Sequence, residues 1–428
     1  MNKYKSYAQI DLPWIERIPS HWKINKVKRY SISKKEINKG NKEKNVLSLT
    51  YKGVIKNNLD NPNGLVPKSY ETYQKFEKND LVFKLIDLEN IKTSRVGIVH
   101  ENGIMSPAYI RLEMNKKFFP KYAYYYFYKL YVEEVYNNLG AGVRSTMTVS
   151  DLQDILIPIP SYSEQQQIAN YLDWKIREID KLIELEKQKI VELNELELKI
   201  IWNYIFNGEK HSEYKKVNSD YINEIPENWH FMKIKRLFRI KKNIAGELGY
   251  NVLSITQQGI KVKDISKNEG QMSSDYSKYQ IVEIGDFAMN HMDLLTGYID
   301  ISNFYGVTSP DYRVFQKISH DVHSKYFLFM FQLFYKLRIF YKYGKGAANE
   351  GRWRLSAIEF LNFEVPLPDI DEQKEIVQII ENKQNTVKIK REEINQKIVE
   401  LTSLKQSLIS EVVTGQIDVR NVKIPERK

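Results

Sequence analysis

The sequence predicts an α+β molecule: two similar globular α/β domains joined by two long helices that form an antiparallel coiled coil, a tandem repeat with pseudo-two-fold symmetry. Three observations predict it. Blocks of residues recur in constant order at an offset close to 207. Each repeat ends in a run of roughly 43 residues free of Pro and Gly, with apolar positions at helical spacing. Short β-branched runs between Gly, Asn, Pro and Asp clusters occupy the rest.

The repeat is read block by block. Ile18-Pro19-Ser20-His21-Trp22 returns as Ile225-Pro226-Glu227-Asn228-Trp229, and Lys26-Val27-Lys28-Arg29 as Lys233-Ile234-Lys235-Arg236. Val46-Leu47-Ser48 with Gly53 returns as Val252-Leu253-Ser254 with Gly259. Ser106-Pro107-Ala108-Tyr109 returns as Ser309-Pro310-Asp311-Tyr312. Pro158-Ile159-Pro160 and Glu164-Gln165 return as Pro366-Leu367-Pro368 and Glu372-Gln373. A period of about 207 is domain-sized, far too long for a solenoid. The expected division is a globular domain over 1–160, a helix over 161–207 and a linker over 208–222. A second domain over 223–368, a helix over 369–414 and a tail over 415–428 complete it.

Within a unit, Asn45–Leu49, Asp80–Phe83, Val96–Val99 and Asn251–Ile255 read as strands. The aromatic segments Lys121–Val132 and Lys325–Ile339 read as buried or half-buried helices. Ser163, with Gln166 three residues on, fits the N-cap of the first long helix, and Asp371 that of the second. Gly208 and Gly415 suit the position after each helix end. The predicted stripes run Ile168, Leu172, Ile176, Ile179, Ile183, Ile190, Leu193, Leu196, Ile200, Tyr204, and Ile376, Ile380, Val387, Ile394, Ile398, Leu401, Leu404, Leu408, Val412. At about 1.5 Å per residue each helix spans about 65 Å. Neither could bury its stripe alone.

Composition bounds the chemistry. The 428 residues carry a net charge of +11, which favours a polyanionic partner without requiring one. With no Cys, disulfides, zinc ribbons and thiol nucleophiles are excluded. No apolar run reaches the roughly 18 residues of a membrane span, and the N-terminus lacks a signal-peptide core. A cytoplasmic protein with no membrane partner is expected. Gly344-Lys345-Gly346 lacks the frame of a phosphate loop. Asn61-Pro62-Asn63-Gly64 reads as a turn, Pro368-Asp369 with Glu372-Gln373-Lys374 as helix capping, and His320 and His323 as surface residues at a helix start. No catalytic or metal-binding constellation emerges, and a recognition subunit is the better expectation than an enzyme.

The ordered blocks resemble the specificity subunit of type I restriction–modification enzymes. The stretches Gly285–Phe315 and Val412–Arg420 are especially similar, and the resemblance covers essentially the whole chain. It implies that each globular part is a target-recognition domain reading one half of a bipartite, asymmetric site in double-stranded DNA. It implies that the helices set the unread spacer, and that two modification and two restriction subunits dock on the chain. S-adenosylmethionine, ATP and Mg are then expected on those partners, with no cofactor in this chain. The rival reading is a coiled-coil scaffold whose globular parts bind protein and not DNA.

Candidate DNA contacts fall where the repeats diverge. Tyr51 and Lys52 oppose Gln257 and Gln258. Arg95 follows the divergent stretch Lys84–Ser94, and Asn290 with His291 lie in the stretch Asn290–Leu295 that opposes it. Before each Pro-x-Pro, Gly140–Arg144 aligns with a segment ending Gly351-Arg352. Arg144, Ser145 and Thr146 there oppose Lys345, Asn349, Arg352 and Arg354. Thr148 with Asp151, and Ser356 with Glu359, read as capping boxes opening short helices. A Gly-flexible loop carrying Arg into a helix start suits phosphate or guanine contact, or is a solvated loop. Tyr109 and Tyr312 read equally as core or DNA-facing.

Overall fold

The same buried frame is built twice. A computed structural model describes residues 2–58, 67–88, 95–140, 145–264, 275–346 and 353–426. Arg144, Asn349, Arg352 and the Asn61–Gly64 turn lie outside the described residues. The helices are α1 Pro120–Val132, α2 Val149–Asp154, α3 Tyr162–Asn207, α4 Ser324–Lys336, α5 Ile339–Lys342, α6 Ala357–Asn362 and α7 Ile370–Val413. Two compact units form. One joins residues 1–187 to 395–428, and the other comprises 188–394. The first is split in sequence and the second is continuous, because α3 and α7 each contribute one portion to each unit.

In the first unit a four-stranded antiparallel sheet runs Ser31–Ile32, Ile110–Met114, Leu81–Lys84, Arg95–Ile98. Side chains alternate across it. Leu81 and Phe83 face α1, where Phe83 meets Phe127 edge-on at 5.0 Å. Val82, between them, faces a second core with Leu47, Leu49, Phe76 and Met105. That core seats a hairpin, Leu47–Thr50 with Gly53–Lys56. The second unit repeats the plan with Phe238–Lys241, Arg313–Lys317, Phe287–Met289 and Ile299–Ile301. Phe287 and Phe315 pack under α4, while Ala288 and Val314 lie beneath the hairpin Leu253–Thr256 with Gly259–Val262. The aromatic segments are helical, as their sequence predicts.

The repeated Glu-Gln pairs lock each long helix to its own unit. Gln165 donates to the Pro160 carbonyl and accepts from the Phe119 N–H. Gln373 donates to the Pro368 carbonyl and accepts from the His323 N–H. The helix caps differ from expectation by two residues. Ser161 accepts from the Glu164 N–H, and Asp369 accepts from the N–H groups of Asp371 and Glu372. These residues, and not Ser163 and Asp371, sit where the chain leaves the Pro-x-Pro strand, which is the only place an N-cap can act. Gly415 ends α7 with a left-handed φ of 73°. The Gln416 N–H bonds the Glu411 carbonyl and the Gly415 N–H the Val412 carbonyl, the two bonds of a Schellman cap.

Within each unit the long helices pack antiparallel. In the first, Asp180 pairs with Lys405 and Glu186 with Lys397, while Ile168, Leu172 and Ile179 share a core with Leu408, Ile409 and Val412. In the second, Glu197 accepts from Gln384 and Arg391, and Ile201 and Ile205 join Ile376, Val377 and Ile380. Two predicted stripe positions are wrong. Leu196 and Leu404, equivalent in the repeat, are 47% and 52% exposed. Glu186 is instead buried, and the ion pair with Lys397 satisfies it.

Candidate nucleic-acid interface

In the first unit the hairpin turn places Tyr51 and Lys52 at its exposed tip. Thr50 Oγ1 accepts the Lys52 N–H at 3.1 Å and donates to the Gly53 carbonyl at 2.9 Å, which fixes the turn. Arg95, at the start of its strand, lays its guanidinium over the Tyr51 ring at 4.1 Å. These two sequence candidates are therefore brought together. Ser145 lies elsewhere in the unit, with a left-handed φ of 37° and its carbonyl accepting the Leu88 N–H. Thr146 follows it. Thr148 and Asp151 then form the predicted capping box at the start of α2.

In the second unit Gln257, Asn290, His291 and the segment carrying Arg354 meet at the loop 290–297. Gln257 donates to the Thr296 carbonyl at 3.2 Å. The Asn290 side chain accepts the Met292 N–H, and the His291 carbonyl accepts the Leu355 N–H. Lys345 and Arg354 form an antiparallel bridge through both backbone bonds, and the Lys345 ammonium lies 3.6 Å from the Glu359 carboxylate. Ser356 caps α6 by accepting from the Glu359 N–H; of the predicted capping box, this is the bond observed. Gln258 accepts from Lys261 at 2.5 Å.

Two arginines act on His291. Burial first, and then the charges of Arg313 and Arg354, push the His291 imidazole down to about 4. It is neutral at physiological pH, and its Nδ1 is buried without a hydrogen-bond partner among the described residues. Arg313 was not singled out by sequence. It is buried, donates to the Leu355 carbonyl at 2.8 Å and lies over Phe360, so it fixes the segment that carries Arg354. Burial draws its pKa down to about 10.

Sequence reasoning also missed a groove in the first unit. Tyr124, Tyr125 and Tyr128 of α1 line a cavity of about 560 Å³ beside Tyr51 and Lys52, floored by Ile176 and Ile183 of α3. Reading α1 as a buried or half-buried helix did not reveal it, because its walls come from segments far apart in sequence. Tyr109 and Tyr312 take the core reading, packed under the hairpins, with Gln74 and Gln280 clamping their Ser-Pro turns. Among the described residues no group of three His, Asp or Glu is placed to hold a metal. No helix among them is long and apolar enough to cross a membrane.

Comparison with known proteins places these features. The family described as "Type I restriction modification DNA specificity domain" matches residues 22–197 and again 226–400. The chain is 25% identical over 343 residues to the type I restriction enzyme MjaVIII specificity subunit of Methanocaldococcus jannaschii, covering 75% of this chain and 76% of that one. It is 24% identical over 302 residues to the EcoDI specificity subunit of Escherichia coli, covering 62% and 63%. Its fold is similar, with a TM-score of 0.64 and 12% identity, to a chain solved in work on complex assembly and conformational transition of the type I R-M system. That match covers 94% of this chain and 99% of the other.

Proposed function

Because the chain belongs to the type I restriction–modification DNA specificity family, we propose that it is the non-catalytic subunit that selects the DNA sequence for a methyltransferase and endonuclease complex in the cytoplasm. Each unit reads one half of a bipartite, asymmetric site in double-stranded DNA. The antiparallel helices set the unread spacer and dock two modification subunits, with two restriction subunits joining them. S-adenosylmethionine, ATP and Mg belong to those partners.

One observation carries this reading. The two units share their sheet order, their hairpin register and the Trp–Glu and Gln–carbonyl bonds that anchor the long helices, yet their exposed polar tips differ. A shared frame with divergent exposed residues suits two readers of two different sequences. Tyr51, Lys52, Arg95, Ser145 and Thr146 are the proposed contacts of one reader. Gln257, Gln258, Asn290, His291, Lys345 and Arg354 are those of the other. Arg144, Asn349 and Arg352 remain proposed contacts on sequence grounds alone. Phosphate contacts supply affinity, and those amide, guanidinium and ammonium groups that reach base edges supply base selection.

Outward apolar positions support the docking role. Val191 and Leu196 are exposed in one unit, and their repeat equivalents Val399 and Leu404 in the other. Mapping methylated adenines in cells that express this chain with its modification subunits tests the function. Two fixed half-sites around an unread spacer are expected, and they vanish without this chain. Methylation at the same sites in its absence overturns the reading.

A further inference from the structure

Resting on that reading, we infer that the two hairpin tips determine specificity, with Gln257 reading an adenine and Lys52 a guanine. The two hairpins are the same object. Leu47–Thr50 pairs with Gly53–Lys56 in the register that pairs Leu253–Thr256 with Gly259–Val262. Thr50 and Thr256 each accept the N–H two residues on at 3.1 Å. Each donates to a Gly carbonyl at 2.9 Å. Gly53 and Gly259 close the turns at φ of 91° and 100°, a region that favours Gly. All four tip residues are exposed. The backbone is thus held constant while the tip chemistry changes.

A two-stranded ribbon fits the major groove of B-DNA, and base edges there differ in their donors and acceptors. Gln257 commits one hydrogen of Nε2 to the Thr296 carbonyl. That bond orients the amide and leaves Oε1 and one N–H as an acceptor–donor pair, the complement of adenine N6–H and N7. Gln258 cannot do the same as freely, since Lys261 occupies its Oε1. Lys52 has three donors and no acceptor, which matches the two acceptors of guanine, O6 and N7. Arg95 on the Tyr51 ring adds a second cation beside it.

The test uses the full chain with its modification subunits. One variant carries Tyr51→Gln and Lys52→Gln, and another carries Gln257→Leu. Both changes lie on exposed tips, and a melting midpoint close to wild type checks the fold. Methylated adenines are mapped, and bound sequences are selected from a randomised duplex pool, which reports even where methylation is lost. Gln257→Leu is expected to relax preference for one adenine in one half-site by about tenfold or more. The double variant is expected to relax one guanine in the other half-site. Selection of the wild-type sequence in both half-sites by both variants overturns the tip assignment alone. Failure of the wild-type complex to select any sequence overturns the function on which it rests.

Discussion

Trp22 donates its indole N–H to Glu164 at 3.1 Å, and Trp229, its repeat counterpart, donates to Glu372 at 2.9 Å. The Trp of each Ile-Pro-x-x-Trp block thus grips the Glu of its Glu-Gln pair and ties the start of a long helix to its own globular part. Each glutamate also bonds a histidine, Glu164 to His21 and Glu372 to His211, and Glu164 is the more heavily used because it accepts from Tyr4 at 2.7 Å as well. Glu164→Ala strands buried donors and is expected to cost about 3 kcal/mol of stability. Glu372→Ala is expected to cost less, about 2 kcal/mol. Denaturant melts of the two variants check the order.

Glycines at two turns give a contrasting pair. A Cβ on Gly415 would lie 2.4 Å from the Pro19 ring, and on Gly53 it would meet nothing within 4 Å. Both have positive φ, so both substitutions strain the backbone. Gly53→Ala is expected to cost about 1 kcal/mol, and Gly415→Ala about 2 kcal/mol or more because the clash adds to the strain. Thermal unfolding distinguishes them.

Acid sensitivity is expected from His291. Its folded pKa of about 4 lies below the ordinary value near 6.5. Between these values the unfolded chain binds a proton that the folded chain does not. Stability from this group is therefore present above about pH 6.5 and is lost as pH falls toward 4. His291→Gln removes that acid limb, and melting midpoints measured from pH 7 to pH 4.5 are expected to fall less steeply in the variant.

How much of this was legible in the sequence depends on distance along the chain. The duplication, the long helices, their Gly stops and the Thr148 cap are local or periodic signals, and residue types report them directly. The caps at Ser161 and Asp369 were misplaced because several capping residues follow Pro-x-Pro and only the exit of the strand selects among them. Leu196 and Leu404 fit the apolar spacing but face outward, since a long helix drifts against its stripe and buries Glu186 in a paired seam. The convergence of Gln257, His291 and Arg354 on one loop links residues far apart in sequence, so no local pattern announces it. The tyrosine groove was hidden for the same reason.

Docking is tested at the outward apolar positions. Val399→Glu with Leu404→Glu is expected to leave the melting midpoint close to wild type, since both side chains are exposed. It is expected to lower the number of modification subunits retained on the chain from two to one. Native mass of the assembled complex reads that stoichiometry.

The spacer is tested by lengthening both helices together. Four residues added after Lys187 and four before Asn395 insert about one turn, or about 6 Å, in each. B-DNA rises about 3.4 Å per base pair along a strand. Methylation mapping is expected to show the same half-sites with a spacer longer by one to two base pairs.

The most direct measurement is equilibrium binding of the chain, assembled with its modification subunits, to three duplexes at two salt concentrations. One duplex carries both half-sites, and each of the others has one half-site scrambled. The account predicts that the intact site binds at least about 10³-fold more tightly than random sequence at physiological salt. Scrambling either half is expected to remove most of that preference, and affinity is expected to fall steeply as salt rises. Equal affinity for all three duplexes, or salt-independent binding, would contradict it and return the protein to the class of protein-binding scaffolds.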